Sequence, residues 1–167
     1  MYETPRPRHR RPDSDPVPDH ATPRGVRMSK PPLPPEAVEL LRRPNPCVMA
    51  TLRKDGAPVS TPTWYAWDDD GRVLINLDAG RVRLGHLRRD PRVTLTVLSG
   101  DDWYTHVTLI GRVAEMRDDE DLSGIDRLSR HYTGNPYPNR ERPRVSAWIE
   151  VERWHGWGEL KDSSQSG

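Results

Sequence analysis

Residues 92–116, RVTLTVLSGDDWYTHVTLIGRVAEM, decide the fold of this chain. Apolar and polar side chains alternate strictly over residues 92–98 and in part over residues 104–113, as they do in strands with one buried face. The SGDD segment between them, at residues 99–102, consists mainly of turn-forming residues. The stretch therefore predicts a long antiparallel pair of strands.

Further strands are predicted outside this pair, over residues 47–52, 57–67, 73–77 and 144–151. The KDG segment at residues 54–56 is typical of a hairpin turn between the first two. Pro58 and Pro62 fall inside the second, which indicates an edge strand or a bulge because proline cannot donate to the hydrogen-bond ladder. The apolar run at residues 73–77 favours a strand that is buried on both faces.

Helical spacing of apolar residues appears in three segments, residues 35–42, 81–90 and 118–132. The second segment should end at Asp90-Pro91, because proline disfavours helical geometry in the residue before it. The whole pattern predicts a mainly β fold, a barrel of six or so antiparallel strands with peripheral helices. The chain has 6 tryptophans, and we expect a homodimer in which a partner subunit covers part of this aromatic surface.

The domain organisation follows from the distribution of proline. Residues 1–35 hold ten of the 18 prolines and almost no apolar side chains, so they cannot bury a core. We predict a disordered Pro- and Arg-rich tail over residues 1–32, one domain over residues 33–158 and a flexible C-terminal tail over residues 159–167. Met28 is a possible alternative translation start.

Charge and hydropathy exclude several classes of partner. Residues 1–30 carry seven Lys or Arg and four Asp or Glu, which leaves 19 basic against 21 acidic side chains in the rest. A slightly acidic domain without a recognised motif is not expected to bind nucleic acid. The chain has no apolar run of membrane-spanning length and no signal peptide, so we expect a cytoplasmic protein without a membrane partner. The single cysteine, Cys47, lies in an apolar run and is expected in the core.

The motifs of common catalytic centres do not occur in the sequence, whether GxSxG, GxxxxGK[ST], GxGxxG or HExxH. We therefore predict neither metal ligands nor a catalytic nucleophile. The segment DAGRVRLGHLRRDPR, residues 78–92, instead places five arginines where a strand passes into a helix. Free amides at a helix N-terminus and guanidinium groups both favour a bound phosphate. The alternative is a solvated, Arg-rich helix face.

A second candidate segment is STPTWY, residues 60–65. Proline and threonine inside a strand leave backbone groups outside the ladder, where a flat heterocycle packed against Trp64 can hydrogen-bond to them. The alternative is an edge strand with a core tryptophan.

Four segments, taken in order, resemble one known family: MATLRKDGAPVSTPTWYAW, GRVLINLDAGRVRLGHLRRDPRVTLTVL, HVTLIGRVAEM and IDRLSRHYTGNPYP. Together they resemble the deazaflavin-dependent branch of the pyridoxamine phosphate oxidase-like split-barrel superfamily over roughly residues 36–157. The most specific part is the basic pair, where the family commonly shows Arg-x-Lys and this chain has Arg81-x-Arg83.

The resemblance implies an FMN-binding-type split barrel that dimerises and holds coenzyme F420 at the subunit interface. It implies that Arg81 and Arg83 grip the cofactor phosphate, while Arg88, or Arg53 and Lys54, would meet the carboxylates of its glutamate tail. The ring and ribityl chain would be lined by the remaining cofactor residues: Ser60, Thr61, Pro62, Thr63, Trp64, Leu77, Asp78, Ala79 and Gly80. The substrate side would be formed by four aromatic residues: Tyr65, Trp103, Tyr132 and Tyr137.

The activity implied is hydride transfer from reduced deazaflavin to an unsaturated small organic substrate, with a proton from solvent or from Tyr65 or Tyr137. Arginine in place of lysine at position 83 keeps the charge but changes the hydrogen-bond geometry, which leaves FMN open as the cofactor. The alternatives are an FMN-binding oxidase or flavin reductase of the same fold, and a non-catalytic protein that binds F420, or haem through His86 or His106.

Overall fold

The computed structural model describes residues 28–161. It contains seven strands: β1 Cys47–Leu52, β2 Pro58–Pro62, β3 Tyr65–Trp67, β4 Arg72–Asp78, β5 Arg92–Leu98, β6 His106–Asp118 and β7 Arg144–Trp157. They form one antiparallel sheet in the order β2-β1-β5-β6-β7-β4-β3, which curls into a half-barrel. The predicted mainly β split-barrel fold is confirmed, with seven strands in place of six or so.

The central pair of strands is the one that the alternating pattern predicts. β5 pairs with β6 from Arg92 opposite Arg112 to Leu98 opposite His106. β6 then continues five residues beyond the predicted end and pairs with β7 past two bulges, between Ile110 and Gly111 and between Val113 and Glu115. Bulges bend and twist a strand, so they help the sheet to curl around its core.

The prediction of a single interrupted strand over residues 57–67 is wrong. β2 ends at Pro62 and β3 begins at Tyr65, and the two strands occupy opposite edges of the sheet. Only Thr63 and Trp64 join them, and the Thr63 amide donates to the Cys47 carbonyl at 3.0 Å. The two edges of the curled sheet therefore approach each other at this two-residue link.

The core lies on the concave face of the sheet, where Met49, Leu95 and Leu109 are almost completely buried. A second, smaller apolar cluster on the convex face joins Leu74 of β4 to Leu128, with Trp64 and Trp148 packed against it. β4 is therefore buried on both faces, as its apolar run predicts.

Three helices flank the sheet: α1 Pro35–Arg42, α2 Val82–Arg89 and α3 Ser123–Thr133. The first two match the predicted segments to within one residue at each end. The third begins five residues later than predicted, because the buried Asp119 carboxylate accepts the amides of Gly124 and Ile125, both at 2.9 Å. Leu122, just before the helix, has a left-handed φ of 59°, which stops the helix from extending backwards.

Of the predicted N-terminal tail, residues 1–27 lie outside the described residues. Ser29 pairs with Trp154 through two backbone hydrogen bonds of 2.9 Å. Of the predicted C-terminal tail, residues 162–167 lie outside the described residues, whereas Leu160 is buried in the core. None of the helices formed by residues 28–161 is long and apolar enough to cross a membrane.

Candidate cofactor site

A pocket of about 710 Å³ lies beside the link between the two sheet edges. We call it the central pocket. Its walls come from the start of β1, the β2–β3 link, the start of α2, α3 and the start of β7, and consist of Pro44, Pro46, Cys47, Val48, Pro62, Thr63, Trp64, Asn76, Arg81, Arg83, Ile125, Leu128, Tyr132, Tyr137 and Arg144.

The central pocket brings together residues from both candidate segments and from IDRLSRHYTGNPYP, one of the segments that carry the family resemblance. Trp64 comes from the β2–β3 link with its neighbours Pro62 and Thr63, Arg81 and Arg83 come from the start of α2, and Tyr132 and Tyr137 come from the end of α3 and the loop after it. The basic pair and the aromatic residues therefore face one cavity.

Several of the other predicted cofactor residues surround the pocket without lining it. Ser60 is exposed and Thr61 half-buried on the edge strand β2. Leu77 points into the core, where it is 1% exposed. The Asp78 carboxylate accepts the Gly80 amide at 2.9 Å, which shapes the turn that delivers Arg81 to the pocket.

Three more predicted site residues lie apart from the central pocket. Arg88 is exposed farther along α2. Tyr65 is a core residue with no exposed surface, and its hydroxyl donates to the Arg43 carbonyl at 3.1 Å. Trp103 is 74% exposed in the β5–β6 turn and contacts Tyr104. Neither Tyr65 nor Trp103 lines the central pocket.

The basic pair at the start of α2 has the electrostatics of an anion site. Among the described residues, no carboxylate lies within 4.0 Å of the guanidinium group of Arg81 or Arg83. Burial, and then repulsion by Arg81, lower the pKa of Arg83. The helix also begins without a side-chain cap or an acidic residue in its first turn, so its first amides favour an anion.

The aromatic wall of the pocket is held by packing. Trp64 stacks on Tyr132 with ring centroids 5.4 Å apart and planes 13° apart, and Tyr137 meets Trp64 edge-on at 6.4 Å. The Tyr132 hydroxyl donates to the Asn45 carbonyl at 2.8 Å. Burial raises the pKa of Tyr132. Tyr132 is therefore a fixed, neutral part of the wall.

Arg144 and Asn76 line the pocket although the sequence did not single them out. The Arg144 Nε donates to the Asn76 Oδ1, and its guanidinium group lies 4.7 Å from the centre of the Tyr137 ring. The two residues belong to strands that pair across about seventy positions of sequence, and no local motif marks such a pairing.

A second cavity, of about 750 Å³, shares Arg83 with the central pocket. Its lining is largely basic, and we call it the basic cleft: Arg53, Lys54, Val59, Val82, Arg83, Gly85, His86 and Arg89. Arg53 and Lys54, which the family resemblance places near the carboxylates of a cofactor tail, both line it. The other predicted tail residue, Arg88, does not.

Comparison with known proteins agrees with this architecture. The model of the family described as pyridoxamine 5'-phosphate oxidase matches residues 33–158. A solved F420 reductase is 24% identical, with a TM-score of 0.67, and the match covers 73% of this chain and 98% of that one. A conserved hypothetical protein from Mycobacterium tuberculosis is 26% identical, with a TM-score of 0.61 and coverage of 77% and 86%. General Stress Protein 26 from Bacillus anthracis is 14% identical, with a TM-score of 0.56 and coverage of 73% and 91%. No curated protein sequence matches the chain.

Proposed function

This chain belongs to the pyridoxamine 5'-phosphate oxidase family, and we propose that it is an oxidoreductase that uses coenzyme F420. In this proposal the cofactor binds in the central pocket, and a hydride passes to an unsaturated small organic substrate. The observation that carries the proposal is the pair Arg81 and Arg83, which faces an aromatic pocket without a carboxylate partner among the described residues.

The phosphate group of a flavin-type cofactor fits the start of α2. A half-buried guanidinium group that is repelled by its neighbour gains from an anion that neutralises both charges. Charge-assisted hydrogen bonds from arginine to phosphate are also stronger than neutral ones. Arg81 and Arg83 would hold the phosphate, and the uncapped amides of α2 would add to the same field.

The ring system of the cofactor fits the wall formed by Pro62, Thr63 and Trp64. Because β2 is an edge strand, its outward backbone groups have no partner strand in the described sheet. Such groups give a flat heterocycle fixed hydrogen-bond partners, and the Trp64 ring gives it an apolar surface.

The choice of F420 over FMN rests on the basic cleft. F420 carries a glutamate tail, and the cleft continues from Arg83 with Arg53, Lys54 and Arg89. The likeness to a solved F420 reductase shows the fold alone, at 24% identity. FMN has no tail and would leave the basic cleft without a ligand.

When bound, reduced F420 supplies a hydride, and the protein supplies binding and orientation. Trp64, stacked on Tyr132, would pack against one face of the stacked cofactor ring and substrate and keep both in a fixed plane. Ile125 and Leu128 give the pocket an apolar side, which would help to displace water from around a bound cofactor. Of the two tyrosines proposed as proton donors, Tyr137 lines the pocket and Tyr65 does not, so we assign this role to Tyr137.

We also propose that the protein acts as a homodimer that covers the cofactor site. Val82 is 75% exposed at the start of α2, beside the basic pair. A second copy packed over this face would bury it and reduce the solvent access of the site. Sedimentation velocity tests this proposal: a dimer is expected, and a monomer at micromolar concentration would contradict it.

Titration of the purified protein with oxidised F420 and separately with FMN tests the proposed cofactor, with binding followed by fluorescence. F420 is expected to bind more tightly than FMN, and the Arg81→Ala and Arg83→Ala variants are expected to lose affinity. The control is Arg153→Ala, because Arg153 is exposed on β7 and lines neither the central pocket nor the basic cleft. Binding of FMN alone would identify the FMN-dependent alternative, and binding of neither cofactor would refute both.

A further inference from the structure

Arg144 is positioned for a role that the cofactor proposal does not use. Its guanidinium group is held by the Asn76 Oδ1 on one side and lies against the Tyr137 ring on the other. Asn76 is itself fixed, because its amide donates to Asp119 at 2.7 Å and to Ser146 at 3.0 Å. Arg144 is therefore pre-organised before any ligand enters, and little side-chain entropy remains to be lost on binding.

Among residues 28–161, no carboxylate lies within 4.0 Å of the Arg144 guanidinium group. Asp78, its cross-strand neighbour, interacts with it at longer range: the pKa of Asp78 is lowered first by the Gly80 amide, then by Arg142 and by Arg144. The nearby Asp78 carboxylate is bound by the Gly80 amide at 2.9 Å and by Arg142 at 3.3 Å. The Asp119 carboxylate accepts hydrogen bonds from the Gly124 and Ile125 amides of α3 and from the Asn76 side chain. Of the three guanidinium nitrogens of Arg144, the Nε donates to Asn76, and no described residue accepts a hydrogen bond from the two terminal nitrogens, Nη1 and Nη2.

The surroundings of Arg144 indicate what kind of molecule would meet those nitrogens. The guanidinium group borders a pocket whose other walls include Trp64, Tyr132 and Leu128. A planar unsaturated molecule fits such walls. A guanidinium fork binds carboxylate and phosphate groups in bidentate fashion, and with the cofactor phosphate assigned to Arg81 and Arg83, a carboxylate is the group left for Arg144. Arg81 and Arg83 belong to a different element and are assigned to the cofactor phosphate.

We propose that Arg144 binds the carboxylate of the substrate, so that the substrate class is a planar unsaturated carboxylic acid. This inference rests on the proposed function, since it assumes that the central pocket is where a substrate is reduced. It goes beyond that function in naming the anionic group and the residue that recognises it.

The test compares two probes of the same shape, cinnamate and cinnamamide, by isothermal titration calorimetry on F420-loaded and F420-free protein. The wild-type protein is expected to bind the acid at least about tenfold more tightly than the amide, as a charge-assisted hydrogen bond provides. Arg144→Gln should abolish this preference, and Arg144→Lys should retain part of it. Arg153→Gln is the matched control, because Arg153 is exposed on the same strand and does not line the pocket.

Three results would overturn the proposal: no preference for the acid in the wild-type protein, a preference that survives Arg144→Gln, or a loss of F420 affinity in Arg144→Gln as large as its loss of cinnamate affinity. The last would assign Arg144 to the cofactor. Retained F420 affinity shows that the variant is folded. A wild-type protein that binds no F420 would refute the proposed function, whereas the acid and amide comparison on the F420-free protein would still report on Arg144.

Discussion

Replacement of Arg83 by methionine should affect the cofactor-free and the cofactor-bound protein differently. In the free protein Arg83 is half-buried and is repelled by Arg81. Its one hydrogen bond to a described residue, to the Pro62 carbonyl, is long and weak at 3.5 Å. Methionine keeps much of the side-chain length and removes the charge. Because solvent screens a half-exposed group, we expect the free energy of unfolding of the free protein to stay within about 1 kcal/mol of wild type, unchanged or higher.

The same substitution should weaken cofactor binding strongly. A hydrogen bond to a charged group contributes about 1.5–3 kcal/mol, and 1.4 kcal/mol corresponds to a factor of ten. The dissociation constant for F420 should therefore rise by about 10- to 150-fold. Fluorescence titration measures the affinity, and urea unfolding with and without F420 measures the stability.

Arg153→Met is the control for Arg83→Met, because Arg153 is exposed on β7 and lines neither the central pocket nor the basic cleft. It should change neither quantity appreciably. Loss of more than about 1 kcal/mol of stability in free Arg83→Met would mean that Arg83 has a structural role. Unchanged F420 affinity in Arg83→Met would refute the assignment of the phosphate site.

Three further predictions concern the elements that shape the site. Asp119→Ala should cost about 2–4 kcal/mol in urea unfolding, because α3 loses its cap and the buried Asn76 amide loses a partner. The neighbouring Glu120 is exposed, so Glu120→Ala should cost less than about 0.5 kcal/mol, and equal costs would contradict the cap. Gly111→Ala should lower the melting temperature, because its Cβ would lie 2.1 Å from the Glu150 carbonyl oxygen; an unchanged melting temperature would mean that the bulge is wrongly placed. Burial raises the pKa of Cys47 to about 12. Iodoacetamide reacts with the thiolate, so at pH 8 it should label Cys47 only after unfolding. Rapid labelling of the native protein would contradict this burial.

Local patterns in the sequence were sufficient to predict most of the strands and helices. The period of two in residues 92–98 and the proline at the start of α1 depend on short-range physics, and both elements have the predicted bounds. Local patterns marked the basic pair and the Trp64 segment separately, the family resemblance joined them in one site, and both line the central pocket. These residues lie where elements begin or end, and turn and helix signals mark such positions.

Features that depend on long-range pairing were not predictable from those patterns. The separation of β2 from β3 to opposite edges follows from how the whole sheet curls. Tyr65 belongs to the candidate segment STPTWY, but it is the first residue of β3 and points into the core. Arg144 was missed because its neighbour Asn76 belongs to a strand about seventy residues earlier.

A crystal structure of the F420 complex tests the central claim most directly. The account predicts the phosphate within hydrogen-bond distance of Arg81 and Arg83, the deazaflavin ring against Pro62, Thr63 and Trp64, and the glutamate tail along the basic cleft. A cofactor bound outside the central pocket, or a phosphate that touches neither arginine, would contradict it.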